Sequence, residues 1–250
     1  MPGSARADEP AKADVRQMAN ELITAGLTER GRPRFLLGIT GPPAAGKSRF
    51  ASLLALTINQ LVGWPAAIAV PMDGFHLPNA VLEARGLRAL KGAPQTFDGP
   101  GFISLLERLR RDLPEPVWCP IYDRTLHEPV EHALEVPAAT RIIIVEGNYL
   151  LLDTPPWNQA RAHFDQIWYL DAPTSITTLR LLERHITGGR SEQEAREKIA
   201  GTDLPNARLI EQTRARADRV LQVSPEAGNT SDENESHPES ETRHGKDPLV

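Results

Sequence analysis

Arg34-Phe35-Leu36-Leu37-Gly38-Ile39-Thr40 runs directly into Gly41-Pro42-Pro43-Ala44-Ala45-Gly46-Lys47-Ser48. The first seven residues are a short apolar run of the kind that forms a buried strand. The next eight fit G-x-x-x-x-G-K-[ST], a loop whose backbone N–H groups cradle phosphate. Beyond them Phe50, Leu53, Leu54, Leu56, Thr57, Ile58 and Leu61 form a helical apolar stripe. Strand, glycine loop and helix in that order suit an anion, because the helix then points its partially positive end at the phosphates. Gly41 and Gly46 admit turns that a Cβ would block. Lys47 is expected to reach the β/γ-phosphates and the Ser48 hydroxyl to ligate Mg²⁺. Gly41, Pro42, Pro43, Ala44, Ala45, Gly46, Lys47, Ser48 and the adjoining Arg49 are the expected nucleotide contacts.

Working outward, short apolar runs at 66–71, 117–122, 141–146, 166–170 and 219–223 read as further strands. Helical patterns fall at 14–25, 102–113, 176–186 and 207–217. Alternating strands and helices predict an α/β P-loop NTPase fold: a parallel sheet of five strands or slightly more, helices on both faces, and a small helical lid at about 180–200. Trp118, Trp157 and Trp168 are expected in the core, and Cys119 as a small buried hydrophobe. Residues 1–12 read as a flexible start and 13–224 as one domain.

The net charge of −5 is carried by the last segment. Residues 225–250 hold seven acids against Arg243 and Lys246 and almost no apolar residues, so a disordered acidic tail is expected there. The body is about neutral, which leaves no electrostatic footprint for nucleic acid. The single cysteine excludes an intrachain disulfide and fits a reducing, cytoplasmic setting. Residues 1–10 lack the apolar core of a signal peptide. The longest apolar stretch, 51–72, is broken by Asn59, Gln60 and Pro65, so no membrane span is expected.

Polar residues gather where the strands end, and in open parallel sheets that rim binds ligands. The second strand ends in Asp73-Gly74-Phe75-His76, the third in Tyr122-Asp123-Arg124 with His127 beyond, the fourth in Glu146-Gly147-Asn148. The run Ile142-Ile143-Ile144-Val145-Glu146 has the form of a Walker B strand, whose acid would join Ser48 on Mg²⁺. Asp73 is placed to orient an acceptor hydroxyl and take its proton, although a turn Asp before Gly74 has the same appearance. Arg180 and Arg184 share a helix face, and Gly188-Gly189 forms a hinge before Arg190. Arginines on a mobile lid can neutralise charge on a transferring phosphoryl group. The competing reading is a solvated face paired with Glu183, Glu192 and Glu194. Arg184 and Arg190 are taken as catalytic candidates with Lys47 and Asp73; Arg180 stays open.

From about residue 34 to 223 the chain resembles the uridine kinase, phosphoribulokinase and pantothenate kinase group of P-loop kinases. Met72-Asp73-Gly74-Phe75-His76 resembles the segment carrying their catalytic Asp. Arg85-Gly86-Leu87, Lys91-Gly92-Ala93-Pro94 and Phe97-Asp98 are similar to bacterial pantothenate kinases. Pro120-Ile121-Tyr122-Asp123 with His127 looks like uridine kinase, and Arg184-His185-Ile186-Thr187-Gly188-Gly189-Arg190 like the lid of the same group. Arg124 stands where pantothenate kinases place a His. Gly74-Phe75-His76 replaces the Ser and aromatic residues of uridine kinases. The resemblance implies an ATP- and Mg²⁺-dependent kinase for a small-molecule acceptor; Asp73, His76, Asp98, Tyr122, Arg124 and His127, at or beyond the strand ends, are expected to line its pocket. It implies nucleoside contacts for Tyr122 and His127 and sugar-hydroxyl contacts for Asp98. The expected acceptor is a nucleoside, sugar or similar polyol; an anionic acceptor of the pantothenate type is the alternative. No nucleic-acid or membrane partner is expected, and a homodimer is left open.

Two rival classes make different demands on the sequence. A GTPase should show N-K-x-D, and none occurs. A motor-type ATPase should show a signature such as L-S-G-G-Q, of which Thr187-Gly188-Gly189-Arg190 is a faint echo. A P-loop ATPase without an acceptor, or a degenerate binding protein, stays as the alternative to a kinase.

Overall fold

The computed structural model describes residues 12–28, 34–111 and 114–223. The expected loose start (apart from Lys12) and acidic tail lie outside the described residues, as does the end of the helix expected at 102–113. In chain order the strands are β1 (Phe35–Thr40), β2 (Ala67–Pro71), β3 (Val117–Asp123), β4 (Glu128–Val136), β5 (Ile142–Glu146), β6 (Gln166–Asp171) and β7 (Arg219–Gln222). The helices are α1 (Lys12–Leu27), α2 (Lys47–Val62), α3 (Asn79–Ala84), α4 (Gly99–Arg110), α5 (Thr174–Thr187), α6 (Glu192–Lys198) and α7 (Leu204–Glu211).

Five strands make one parallel sheet in the order β2-β5-β1-β6-β7. Its central strands are apolar throughout because both faces are covered. Phe35, Leu37, Ile39, Ile142, Ile144 and Trp168 face the layer of α1 and α2. Leu36, Ile143 and Val145 face the layer of Phe102, Leu105 and Leu106 from α4 and Trp157 from a 3₁₀ turn. Each such buried side chain contributes about 1.5–3 kcal/mol. The register brings three strand ends level: Ile39 of β1 and Pro71 of β2 both pair with Glu146 of β5.

The apolar stripe expected on α2 is offset in the structure. Ala51, Leu54, Ala55 and Ile58 face the core, while Leu53 is 46% and Leu56 58% exposed. Two alanines let the helix sit close to the sheet, which residue-by-residue hydrophobicity does not register. The helix expected at 207–217 begins earlier, at Leu204, and gives way to a 3₁₀ turn at Arg214–Arg216.

One strand is misplaced by the sequence reading. β3 does not join the parallel sheet; it pairs antiparallel with β4 in a separate two-stranded hairpin. Trp118 is accordingly 41% exposed, while Trp157 and Trp168 are buried as expected. β4, Glu-Pro-Val-Glu-His-Ala-Leu-Glu-Val, carries too many polar residues to stand out as a strand, and without it β3 looks like one more sheet member. Cys119 is buried, and burial pushes its thiol up to about 12, far from a nucleophile's range.

The hairpin is seated on the 3₁₀ turn Met72–Phe75 that follows β2. A Cβ at Gly74 would stand 2.2 Å from the Pro120 carbonyl oxygen, so only glycine allows this approach. Gly74→Ala should lower stability by about 1–3 kcal/mol, the usual cost of forcing extra volume into a packed contact. The urea midpoint reads this directly, and an unchanged midpoint would mean that the hairpin retreats without cost.

Candidate active site

The phosphate loop, residues 41–46, leaves the end of β1 and enters α2 at Lys47. Gly46 caps the helix in the left-handed region, φ 96°, and no side chain caps the helix N-terminus. The first N–H groups of α2 are thus open to an anion. The Lys47 ammonium folds back over the loop, donating to the carbonyl oxygens of Gly41 (3.0 Å) and Pro42 (2.9 Å). Burial lowers its pKa to about 8 against the opposing pull of Glu146 and Asp73.

Ser48 donates its hydroxyl hydrogen to Glu146 Oε1 at 2.8 Å. Glu146 is buried at the end of β5, and its pKa is pushed up to about 7, first by burial and then by the charge of Asp73. Lys47, the Ser48 hydrogen bond and Arg124 act the other way. These are hard oxygen donors, and a Ser with one carboxylate is the protein share expected of a site whose remaining ligands are phosphates and water. The pair therefore fits Mg²⁺. No cluster of three or more His, Cys, Asp or Glu residues forms a self-sufficient metal cage among the described residues.

Asp73 stands in the 3₁₀ turn after β2. Its carbonyl oxygen accepts from the His76 backbone N–H at 3.1 Å and lies 2.8 Å from His76 Nδ1. The His76 ring lies between Phe97 (4.0 Å between centroids) and Tyr122 (4.7 Å). Burial lowers the His76 pKa and raises that of Tyr122. Asp98 is tied to this turn through its backbone N–H, which donates to the Phe75 carbonyl at 2.7 Å. Its side chain caps α4, accepting from the Gly101 N–H at 3.0 Å. Arg124 and His127 are exposed on the hairpin turn; Arg124 reaches Glu146 by charge, and His127 has φ 54°.

Arg184 is exposed on α5, and its charge contributes to lowering the pKa of both Lys47 and His76. Arg190 lies beyond the Gly188-Gly189 hinge, with its guanidinium on His185. The structure thus gathers Lys47, Ser48, Glu146 and Asp73 into one charged group and sets His76 and Tyr122 beside it. It keeps His127 and Asp98 exposed at the edges.

Against curated proteins, the chain is 36% identical over 205 residues to the uncharacterised Escherichia coli (strain K12) protein YggC, covering 82% of this chain and 84% of YggC. It is 35% identical over 195 residues to the Schizosaccharomyces pombe protein C227.14, provisionally named a uridine kinase, covering 76% and 83% of the two chains. A solved structure from Silicibacter sp. TM1040, provisionally named a fructose transport system kinase, superposes with a TM-score of 0.75 at 38% identity, over 83% of this chain and 98% of that one. The chain belongs to the uridine kinase, phosphoribulokinase and pantothenate kinase group of P-loop kinases. No family model matches it. Among the described residues no helix is long and apolar enough to cross a membrane.

Four further residues of this P-loop kinase stand around the candidate site. Arg180, left open above, donates from Nη1 to the Ala44 carbonyl at 3.4 Å and so touches the phosphate loop itself. Its spacing one turn before Arg184 was the only signal. Lys91 donates to Asn79 Oδ1 (2.6 Å) and the His127 carbonyl (2.8 Å), and its ammonium stands 5.0 Å from the Tyr122 ring centre. Glu128 accepts from the Asn79 backbone N–H through both oxygens, 3.1 Å each. Lys91, Asn79 and Glu128 together clamp the hairpin turn beside Tyr122.

The lowered Lys47 pKa carries a pH prediction. Below about 8 the free protein holds Lys47 protonated, ready to meet phosphate; above it, ATP binding must take up a proton. ATP affinity should therefore weaken as pH rises through 8, by up to about tenfold per pH unit. Calorimetric titration in two buffers of different ionisation enthalpy reads both the affinity and the proton uptake. A flat affinity between pH 7 and 9.5 would remove Lys47 from phosphate binding.

Proposed function

We propose that this protein is an ATP-dependent phosphotransferase that phosphorylates a hydroxyl of a small polyhydroxylated metabolite, a nucleoside, sugar or similar polyol. The observation that carries the reading is the placement of Asp73: one strand end from Glu146, electrostatically coupled to Lys47, and next to the His76–Tyr122 ring pair. A pure nucleotide switch has no need of a second carboxylate and an aromatic pocket beside its phosphate loop.

In this reading Lys47 and the N–H groups of the loop hold the β- and γ-phosphates. Ser48 and Glu146 would hold Mg²⁺, which supplies charge neutralisation on the phosphate oxygens when bound. Asp73 accepts a hydrogen bond from the acceptor hydroxyl. The acceptor oxygen bonds to the γ-phosphorus as the bond to the β,γ-bridging oxygen breaks, the proton passes to Asp73, and ADP leaves. Arg184 and Arg190 neutralise charge on the transferring group from the lid, and Arg180 steadies the loop. Asp98, Tyr122 and His127 supply hydrogen bonds and a stacking face to the acceptor. The names of the uridine and fructose-system kinase relatives support a sugar-bearing acceptor.

Arg124 and Lys91 favour a second reading, an anionic acceptor, because both bring positive charge to the acceptor side. The deciding experiment is a panel of nucleosides, free sugars, pantothenate and glycerate, read by ADP release and by a mass gain of the acceptor. A kinase turns over slowly with MgATP alone and fast with one member. If that member is anionic, Arg124→Ala should raise its KM sharply; if it is neutral, Arg124→Ala should matter little and His127→Ala more. ATP hydrolysis indifferent to every acceptor would favour the ATPase alternative.

A further inference from the structure

The lid holds a hydrogen-bonded chain of three charged or titratable side chains, two of them buried and the third, Arg190, exposed. His185 Nε2 lies 2.7 Å from Asp203 Oδ2, and His185 Nδ1 lies 3.1 Å from Arg190 Nη1. His185 and Asp203 are both buried. A guanidinium can only donate and an ionised carboxylate can only accept. The ring between them must therefore accept at Nδ1 and donate from Nε2, which fixes it as the neutral Nε2–H tautomer. The direction of the Arg190 side chain follows from this, since its Nη1–H must meet the Nδ1 lone pair in the ring plane. The Arg190 backbone is pinned as well, its N–H donating to the His185 carbonyl at 3.1 Å, directly after Gly189 with φ 91°.

The far end of the chain is anchored to the acceptor side. Asp203 belongs to a π-helical turn, Ile199–Asp203, between α6 and α7. Such turns displace one residue from the helical register and recur at functional sites. Just before it, Lys198 donates to the carbonyl oxygens of Ala89 (3.1 Å) and Lys91 (2.8 Å). Just after it, Asn206 Nδ2 donates to the Gly92 carbonyl at 3.1 Å. Residues 89–92 are the loop from which Lys91 reaches over Tyr122. Two of the acids that could pair with Arg190 have hydrogen-bond partners of their own: Glu194 accepts from Ser191 in a capping box, while still feeling the Arg190 charge, and Glu192 accepts from Arg196.

We propose that His185 and Asp203 are positioning residues that aim Arg190 and hold it in register with the acceptor loop. The proposal rests on the reading of Arg190 as a lid cation for the transferring phosphoryl group. An arginine left on a glycine hinge would spread over many rotamers; one fixed at its guanidinium and its backbone is preorganised for the developing charge.

Two measurements test this. The first needs no acceptor: ¹⁵N-imidazole spectra of the wild-type protein at pH 8 should show His185 as the Nε2–H tautomer with an accepting Nδ1, and Arg190→Met should shift that Nδ1 signal. An Nδ1–H tautomer, or a signal indifferent to Arg190→Met, overturns the proposal. The second uses MgATP alone, since attack of water on the γ-phosphate builds charge on the same oxygens. Arg190→Met should lower kcat on the order of 10²–10³-fold with little change in KM, the range for losing one preorganised donor. His185→Phe should approach that loss, and the double variant should fall within about twofold of Arg190→Met alone. Asp203→Asn, which still accepts from Nε2–H, should retain much more activity than Asp203→Ala. Additive losses, or a fully active His185→Phe, overturn the positioning role. If Arg190→Met alone leaves hydrolysis unchanged, the catalytic reading of Arg190 falls and the positioning role with it; an intact ring signal then places the failure in the function rather than in the hydrogen-bond chain.

Discussion

Lys47→Ala should abolish nearly all phosphoryl transfer while leaving a folded protein. The ammonium is the one buried cation of the loop, and its partners in the structure are loop carbonyls rather than an acid. Those bonds can be exchanged for bonds to phosphate oxygens, which carry full charge and so hold a cation more strongly. Losing such a contact should remove on the order of 3–4 kcal/mol of transition-state stabilisation. The fold should not suffer. Burial lowers the Lys47 pKa to about 8, so at neutral pH its charge opposes folding rather than supporting it. Thermal stability of the variant should be unchanged or raised. A variant retaining near wild-type ADP release with a true acceptor would sink the assignment of the phosphate loop, and a variant that fails to fold would show that the ammonium braces the loop instead.

Asp73→Asn should keep ATP binding and slow transfer by about 10²–10⁴-fold, the range for loss of a general base. The substitution preserves the shape of the 3₁₀ turn, whose hydrogen bonds to His76 come from the Asp73 backbone carbonyl and survive it. It also carries an independent signature. The charge of Asp73 is the second cause, after burial, of the raised Glu146 pKa, and it helps to hold the proton on Lys47. Removing it should lower the Glu146 pKa of the metal-free protein, which a carboxylate titration without Mg²⁺ or nucleotide reads directly. Titration with a non-hydrolysable ATP analogue, followed by turnover, separates binding from transfer. Equal turnover in the two proteins would make Asp73 a turn residue only.

The two predictions differ in how much of their support was legible in the chain. Lys47 and Ser48 lie within eight residues of Gly41, where spacing alone dictates who meets the phosphate. Glu146 needed one more step, that an apolar run of β-branched residues forms a central strand beside β1, and the register of Ile39 with Glu146 delivers it. Asp73 follows the same logic through Pro71. The reading failed where pattern and partner separate. Val117–Asp123 looked like a sheet strand because β4, rich in polar residues, gave no sign that it would pair with it. Trp118 then looked buried, and Leu53 and Leu56 looked like the inner face of α2 when Ala51 and Ala55 are.

The phosphate loop and the buried parallel strands were readable in the chain, because they rest on local spacing and on apolar runs that have only one place to be buried; the kinase family rests on motif resemblance, and β3 reads as a sheet member that it is not. Tertiary structure decided how the loops beyond the strand ends are fastened to one another. Asp73, Asp98, Tyr122 and Arg190 are scattered over more than a hundred residues, and no periodicity links them. Their elements are tied together because Gly74 lets a hairpin close onto one turn, Lys91 fastens that hairpin, and Lys198 with Asn206 ties the lid to the same loop. Such contacts are set by side chains reaching backbone carbonyls, which any long polar residue can do, so the residue types alone carry no signal of who reaches whom.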